Sequence, residues 1–130
     1  LSAFRNAKYT EEKGKWADSF RDARLRIDKI ELPKQTITGK KLDIYVEMSQ
    51  IDYPLDNARK TRSGGVELIL VNPNEEFRFY SVNEGDGKFV INIDEETAKA
   101  FHGTYTAIYN ASLDGKYTVT KIEKINFTEE

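Results

Sequence analysis

The chain has 130 residues, a net charge of −2 and no cysteine. This length predicts one domain that folds without disulfide cross-links. The absence of cysteine excludes disulfides, thiolate metal sites and cysteine nucleophiles. With 20 basic against 22 acidic residues, the charge gives no electrostatic basis for binding nucleic acid. No apolar run approaches the roughly 18 residues of a membrane span, and a single histidine excludes a multi-histidine zinc site.

Residues 1–22 differ from the rest of the chain and predict an N-terminal arm. They are polar, carry irregularly spaced aromatic residues and include the only tryptophan. Trp16 and Phe20 are four residues apart, as on one face of a helix, so the arm is expected to be a short helix or an extended segment. Two interpretations stay open: Trp16 and Phe20 pack on the chain's own domain, or they dock on a neighbouring protein. The domain itself is expected to span residues 23–130.

From residue 24 onward the apolar residues recur with a period close to two, which is typical of β-strands. In "RLRIDKIEL" (24–32) the phase slips at Asp28–Lys29, which predicts a β-bulge. "KKLDIYVEM" (40–48) alternates without a break, whereas "VELILVN" (66–72) is apolar on both phases after its glutamate. The latter pattern predicts a central strand that is covered on both sides.

The second half of the chain continues the strand pattern with one helical interruption. "DEETAKAF" (94–101) predicts a helical turn, and Asp114-Gly115 predicts a β-hairpin. "RIDKIEL" (26–32) and "KIEKINF" (121–127) share one spacing, which favours two edge strands with matching bulges side by side, unless the similarity is chance. In total, about seven or eight strands predict an all-β, immunoglobulin-like antiparallel β-sandwich.

The stretch "HGTYTAIY" (102–109) predicts a corner at the entry to a buried strand. In immunoglobulin-type sandwiches, a tyrosine at this place turns its hydroxyl back to the backbone of the preceding connection. Tyr105 fits that position, and Gly103 relieves the turn before it. The alternative, a reactive phenol in an active site, needs a general base nearby, and the only histidine, His102, precedes the corner.

Two further groups of residues are candidates for an interface. Aromatic side chains on a sandwich surface stack on sugars or form the centre of protein interfaces, although they are also good strand formers. Basic residues in the loop before the third predicted strand are either solvated charges or contacts for an acidic partner. The tyrosines are Tyr45, Tyr53 and Tyr80, and the basic residues are Arg59, Lys60 and Arg62.

Several of these segments, in their order and spacing, resemble the immunoglobulin-like domain at the N-terminus of phage baseplate upper proteins and related tail proteins. The matching pieces are "YPLD" (53–56), "VELILVNPN" (66–74), "GDGKFVINI" (85–93), "GTYTAIY" (103–109) and "DGKYTVT" (114–120). The resemblance covers residues 41–127. It implies a structural attachment and assembly module and no enzymatic activity.

The functional expectation is therefore a non-enzymatic structural module of a phage virion or tail baseplate, which binds other protein subunits and self-associates through the arm. The alternative is a secreted or surface-anchored bacterial module that binds glycan or protein outside the cell. An enzyme ranks last, because the sequence contains no nucleophile–base pair or set of metal ligands. No cofactor is implied.

Overall fold

The computed structural model describes residues 25–52, 57–61, 64–113 and 117–130. The arm predicted at residues 1–22 therefore lies outside the described residues. The described chain forms strands β1 (Leu25–Glu31), β2 (Thr36–Ile37), β3 (Leu42–Asp52), β4 (Asn57–Lys60), β5 (Gly65–Val71), β6 (Glu76–Tyr80), β7 (Val82–Gly85), β8 (Lys88–Ile93), β9 (Gly103–Leu113) and β10 (Tyr117–Thr128), with one helix, α1 (Glu95–Ala98).

The strands form two sheets that pack face to face. Each sheet has five strands. The one called the five-stranded sheet has the order β2-β10-β9-β5-β6. The other is called the four-stranded sheet after its continuous path β1-β3-β8-β7, and its fifth strand, β4, pairs with the far end of β3. Neighbours are antiparallel except β2 and β10, which are parallel. This strand order is that of immunoglobulin-type sandwiches, so the predicted fold class is confirmed. The described residues contain ten strands, whereas seven or eight were predicted. The additional strands are β2, β4 and β7, which are too short to give a periodic signal in the sequence.

The first strand is divided between the two sheets. β1 pairs with β3, and the chain then passes Pro33 and pairs as β2 with β10 in the other sheet. The predicted bulge is confirmed, since the register between β1 and β3 shifts at Asp28. There the Asp28 carboxylate accepts hydrogen bonds from Arg26 Nε at 2.5 Å and from the Ser49 hydroxyl. Burial alone would raise the pKa of Asp28, but the hydrogen bonds from Ser49 and Arg26 outweigh it and lower the pKa.

The two segments of similar spacing lie beside each other at one edge of the sandwich, as predicted, but in different sheets and without matching bulges. "RIDKIEL" belongs to β1 in the four-stranded sheet, whereas "KIEKINF" belongs to β10 in the five-stranded sheet. β10 also has no matching bulge, because its register with β9 is continuous from Gly103 to Leu113. β1 and β10 therefore contact each other between the sheets and not as hydrogen-bonded neighbours within one sheet.

The core lies between the inner faces of the sheets and follows the alternation of the strands. On β5, Leu68 and Leu70 are fully buried, whereas Ile69 and Val71 on the opposite side are only half-buried. β5 is an interior strand between β9 and the edge strand β6, but it is not covered on both sides, contrary to the prediction. Its outer side chains instead form part of the molecular surface.

The helical turn forms as predicted, as α1. Asp94 caps its N-terminus, and the carboxylate accepts a hydrogen bond from Thr97 N at 2.8 Å. That bond lowers the pKa of Asp94, as expected where a carboxylate meets free N–H groups at a helix start. β9 and β10 pair antiparallel, as predicted, up to Leu113 and Tyr117, while the turn itself (114–116) lies outside the described residues. Within the described part of the chain, no helix is long and apolar enough to cross a membrane.

Candidate interaction surface

The corner before β9 is organised by the buried hydroxyl of Tyr105. This oxygen accepts a hydrogen bond from His102 N at 3.2 Å, lies 3.4 Å from the Ala100 carbonyl oxygen and donates to Glu75 Oε1 at 3.0 Å. Burial raises the pKa of Tyr105, so the phenol stays protonated and available as a donor. Gly103, two residues before Tyr105, has a φ of 78°, which a residue without Cβ adopts at little cost.

His102 does not act as a base for this phenol. Its imidazole Nδ1 is 2.9 Å from Glu129 Oε2 at the exposed end of β10, while the Tyr105 ring packs edge-on against Phe101 and Phe127 in the core. The arrangement links the helical connection to β9, and it presents no reactive group to solvent.

The outer face of the five-stranded sheet carries an apolar row across three neighbouring strands. Ile122 of β10 lies opposite Ile108 of β9, which lies opposite Ile69 of β5. These three side chains are called the isoleucine row. Ile122 is 65% exposed, and the other two are half-buried. Arg78 of β6 continues the row beyond Ile69, so a charged residue ends the apolar row on that side.

The next row of the same face is polar and internally hydrogen-bonded. The Thr120 hydroxyl donates to Asn110 Oδ1 at 2.8 Å, and Asn110 Nδ2 donates to Glu67 Oε1 at 3.3 Å. Arg78 Nη1 donates to the other oxygen of Glu67 at 3.0 Å. The hydrogen bond from Asn110 and the charge of Arg78 lower the pKa of Glu67, so its carboxylate is ionised at neutral pH. Tyr80 lies opposite Glu67 and ends this row.

A shallow groove lies beside Tyr80, where the third row is made of small residues. Ser112 lies opposite both Gly65 and Thr118. A Cβ built on Gly65 would find only Ser81 Oγ, at 3.8 Å, so the missing side chain leaves open space above the strand. The Tyr80 groove is defined as this space of about 360 Å³, lined chiefly by Gly65, Glu67, Tyr80, Asn110, Ser112 and Thr118.

The predicted interface tyrosines are not brought together. Tyr45 is 43% exposed on the outer face of the four-stranded sheet, whereas Tyr80 is 68% exposed on the five-stranded sheet. Tyr53 lies outside the described residues, as do Trp16, Phe20 and Arg62.

The basic candidates are only partly described. Lys60 is exposed at the end of β4, with its ammonium group 3.4 Å from Asp28 and 3.5 Å from Glu47. Arg59 lies in β4, opposite Gln50, and its side chain is outside the description. Lys60 is therefore compensated by carboxylates of its own sheet, which weakens it as a contact for an acidic partner.

Sequence reasoning did not identify the isoleucine row or the polar partners of Tyr80. The available signal was the outward phase of each strand, but Glu67 and Asn110 are 43 residues apart. Their proximity depends on the register between β5 and β9, which no local pattern specifies.

Among the described residues, no three His, Asp or Glu side chains are grouped closely enough to hold a metal ion. Comparison of the chain with protein-family models, with curated proteins and with solved structures found no match.

Proposed function

We propose that this chain is a non-enzymatic attachment module that assembles with other protein subunits. The observation that carries the proposal is the isoleucine row on the outer face of the five-stranded sheet. Two neighbouring strands hold Ile69 and Ile108 half-buried beside an Ile122 that is 65% exposed. Contiguous exposed aliphatic residues of this kind are typical of interaction surfaces.

The residues around the row have the arrangement of a protein interface. Thr120 and Lys124 flank Ile122 on the exposed side of β10, and Arg78 lies beyond Ile69. Protein interfaces commonly combine an apolar centre with a polar rim that stays in contact with solvent. The row therefore supplies the centre, and the charged and hydroxyl side chains supply the rim.

The likeness of several segments to phage baseplate and tail domains favours a virion as the place of assembly. An extracellular or cell-surface location is the alternative, in which the same face would bind a host or bacterial protein. In either case the arm is expected to add a contact through Trp16 and Phe20, since terminal segments are free to leave their own domain.

Light scattering of the full chain over a range of concentrations tests the proposal. We expect a concentration-dependent oligomer that Ile122→Asp dissociates, because a carboxylate at the centre of an apolar contact is desolvated without a partner. Val82→Asp is the matched control, since Val82 is also an exposed aliphatic residue but lies on the other sheet. Equal behaviour of the two variants would contradict a role for the isoleucine row.

Deletion of residues 1–22 tests the contribution of the arm. We expect the shortened chain to melt cooperatively, because the alternating strands begin only at residue 24, and to lose self-association. A monomeric full chain at every concentration would overturn assembly through copies of itself. Loss of the folded state on deletion would show that the arm belongs to the core of the domain.

A further inference from the structure

We propose that the Tyr80 groove is a binding site for a neutral carbohydrate, with the Tyr80 ring as the platform on which one sugar ring stacks. This site is separate from the isoleucine row, and it goes beyond the assembly function proposed above. The two share one face of the sheet, but they use different residues and different chemistry.

Most of the Tyr80 side chain is open to solvent. It is 68% exposed at the end of the edge strand β6, and its neighbour across the sheet is the carboxylate of Glu67 and not an apolar side chain. An exposed aromatic ring with polar groups beside it is complementary to a pyranose, which has an apolar C–H face and a rim of hydroxyl groups.

The polar row next to Tyr80 offers preorganised hydrogen-bonding groups to such hydroxyls. An ionised carboxylate has about four acceptor sites, and Asn110 and Arg78 occupy one on each oxygen of Glu67. The Tyr80 side chain also hydrogen-bonds to Glu67, which leaves about one acceptor site for a sugar hydroxyl and fixes Tyr80 beside the carboxylate. Asn110 is fixed in turn by Thr120, so little ordering is needed when a ligand binds.

Gly65 provides the room for the ligand. It lies in β5, two residues before Glu67 and on the same side of the sheet, and its Cβ direction is open except for Ser81 Oγ at 3.8 Å. The hydroxyls of Ser112 and Thr118 lie in the same row as Gly65. Both donate and accept hydrogen bonds, so the floor of the groove offers polar contacts to a ring that rests on Tyr80.

The charges around the groove favour a neutral sugar over an acidic one. Arg78 is the cation nearest to Glu67 among the described side chains, and it is shared between Glu67 at 3.0 Å and Glu76 at 2.9 Å. Its charge is thereby compensated, while Glu67 faces the groove as an anion. A carboxylate or sulfate on the ligand would meet repulsion from Glu67 without an uncompensated cation to offset it.

The test is a titration of the full, isotope-labelled chain by NMR with glucose, galactose, mannose and N-acetylglucosamine, and with N-acetylneuraminic acid as the acidic comparison. We expect at least one neutral sugar to shift the amide signals of Glu67, Tyr80 and Asn110. The dissociation constant should be about millimolar, as for one small ring on an open surface. The acidic sugar should leave these signals unchanged.

Three variants locate the site. Tyr80→Ala removes the platform and should weaken binding about tenfold or more, and Gly65→Val should block the groove while the strand remains intact. Tyr45→Ala is the matched control, because it removes an exposed tyrosine from the other sheet, and it should bind the sugar as the unchanged chain does.

The proposal is overturned if none of the four neutral sugars shifts the groove signals, or if Tyr80→Ala and Gly65→Val bind as well as the unchanged chain. It is equally overturned if Tyr80→Ala dissociates the oligomer while no sugar binds, since the groove would then be part of the protein interface. Because assembly is measured with Ile122→Asp, failure of one proposal leaves the other intact.

Discussion

The outer faces of the two sheets carry the same type of residue in different surroundings. On the four-stranded sheet, Tyr45 lies opposite Val90, which lies opposite Val82 of the edge strand. Val90 is on the outward phase, yet it is only 4% exposed, because its cross-strand neighbours on both sides, Tyr45 above all, cover it. On the five-stranded sheet, Tyr80 lies directly opposite the carboxylate of Glu67, and the open position of Gly65 is diagonal to it.

The comparison shows that exposure of a tyrosine does not by itself indicate a binding site. Part of the Tyr45 side chain covers Val90, so this tyrosine takes part in the packing of its own sheet. Tyr80 has a polar network on one side and an empty space on the other, so its ring is available to a ligand. The cross-strand neighbours, and not the type of residue, therefore decide whether an exposed tyrosine packs on its own sheet or is available to a ligand.

The largest difference between the sheets is expected for their glycines. Gly87, in the hairpin between β7 and β8, has a φ of 74°, and a Cβ there would lie 2.4 Å from the Met48 carbonyl oxygen. We expect Gly87→Ala to cost about 2 kcal/mol or more of the free energy of unfolding. Gly65→Ala meets open space and should be neutral or stabilise by up to about 0.5 kcal/mol. Thermal melts of both variants measure this, and equal losses would show that the Gly65 site is not open.

Truncation of the two tyrosines sharpens the comparison directly. Tyr45→Ala exposes Val90 and should destabilise the fold by about 1 kcal/mol. Tyr80 has no apolar residue directly opposite it, so Tyr80→Ala should change the stability by less than about 0.5 kcal/mol. Denaturant unfolding of the two variants under one set of conditions gives both values. A larger loss for Tyr80→Ala would mean that its ring supports the fold and is not held available for a ligand.

A buried hydroxyl provides the next contrast, within the five-stranded sheet itself. Tyr105→Phe removes the hydrogen bonds to His102 N and Glu75 and should cost about 0.5–1.5 kcal/mol without changing the fold. Tyr80→Phe is its control, because that side chain hydrogen-bonds to Glu67 at the exposed surface, where the loss of the bond should cost less than that of the buried one. Unchanged stability of Tyr105→Phe in chemical denaturation would argue that the corner does not depend on the hydroxyl.

The smallest expected effect is the pH dependence that Glu67 contributes in the polar row of the five-stranded sheet. The folded-state pKa of Glu67 is lowered from the ordinary 4.5, so its contribution is present above that value and is lost as the pH falls through the folded-state pKa. Glu67→Gln should therefore flatten the loss of stability below about pH 4.5. Melts of both proteins across the acid range test this, and parallel curves would contradict it. The same variant should weaken sugar binding, since the amide accepts fewer hydrogen bonds.

Local features of this protein were predictable because they depend on residues that are close in the sequence. The bulge at Asp28, the helical turn capped by Asp94 and the hairpin strands β9 and β10 each have a signal within about ten residues. The alternation of polar and apolar residues likewise predicted an all-β sandwich with Tyr105 at the entry to a buried strand. The short strands β2, β4 and β7 were missed, since two to four residues carry no usable period.

The tertiary structure alone decided which strands lie in the same sheet and which outward side chains meet. The segments 26–32 and 121–127 have the same spacing, yet they lie in different sheets, because a period of two is common to all strands and does not specify a partner. For the same reason, the alternation placed Glu67, Tyr80 and Asn110 on outward phases without indicating that they are neighbours. The amino-acid sequence by itself determined the elements and their inward faces through local periodicity. The row that holds Glu67 beside Tyr80, and the space above Gly65, exist only because long-range pairing brings three separate strands into one register.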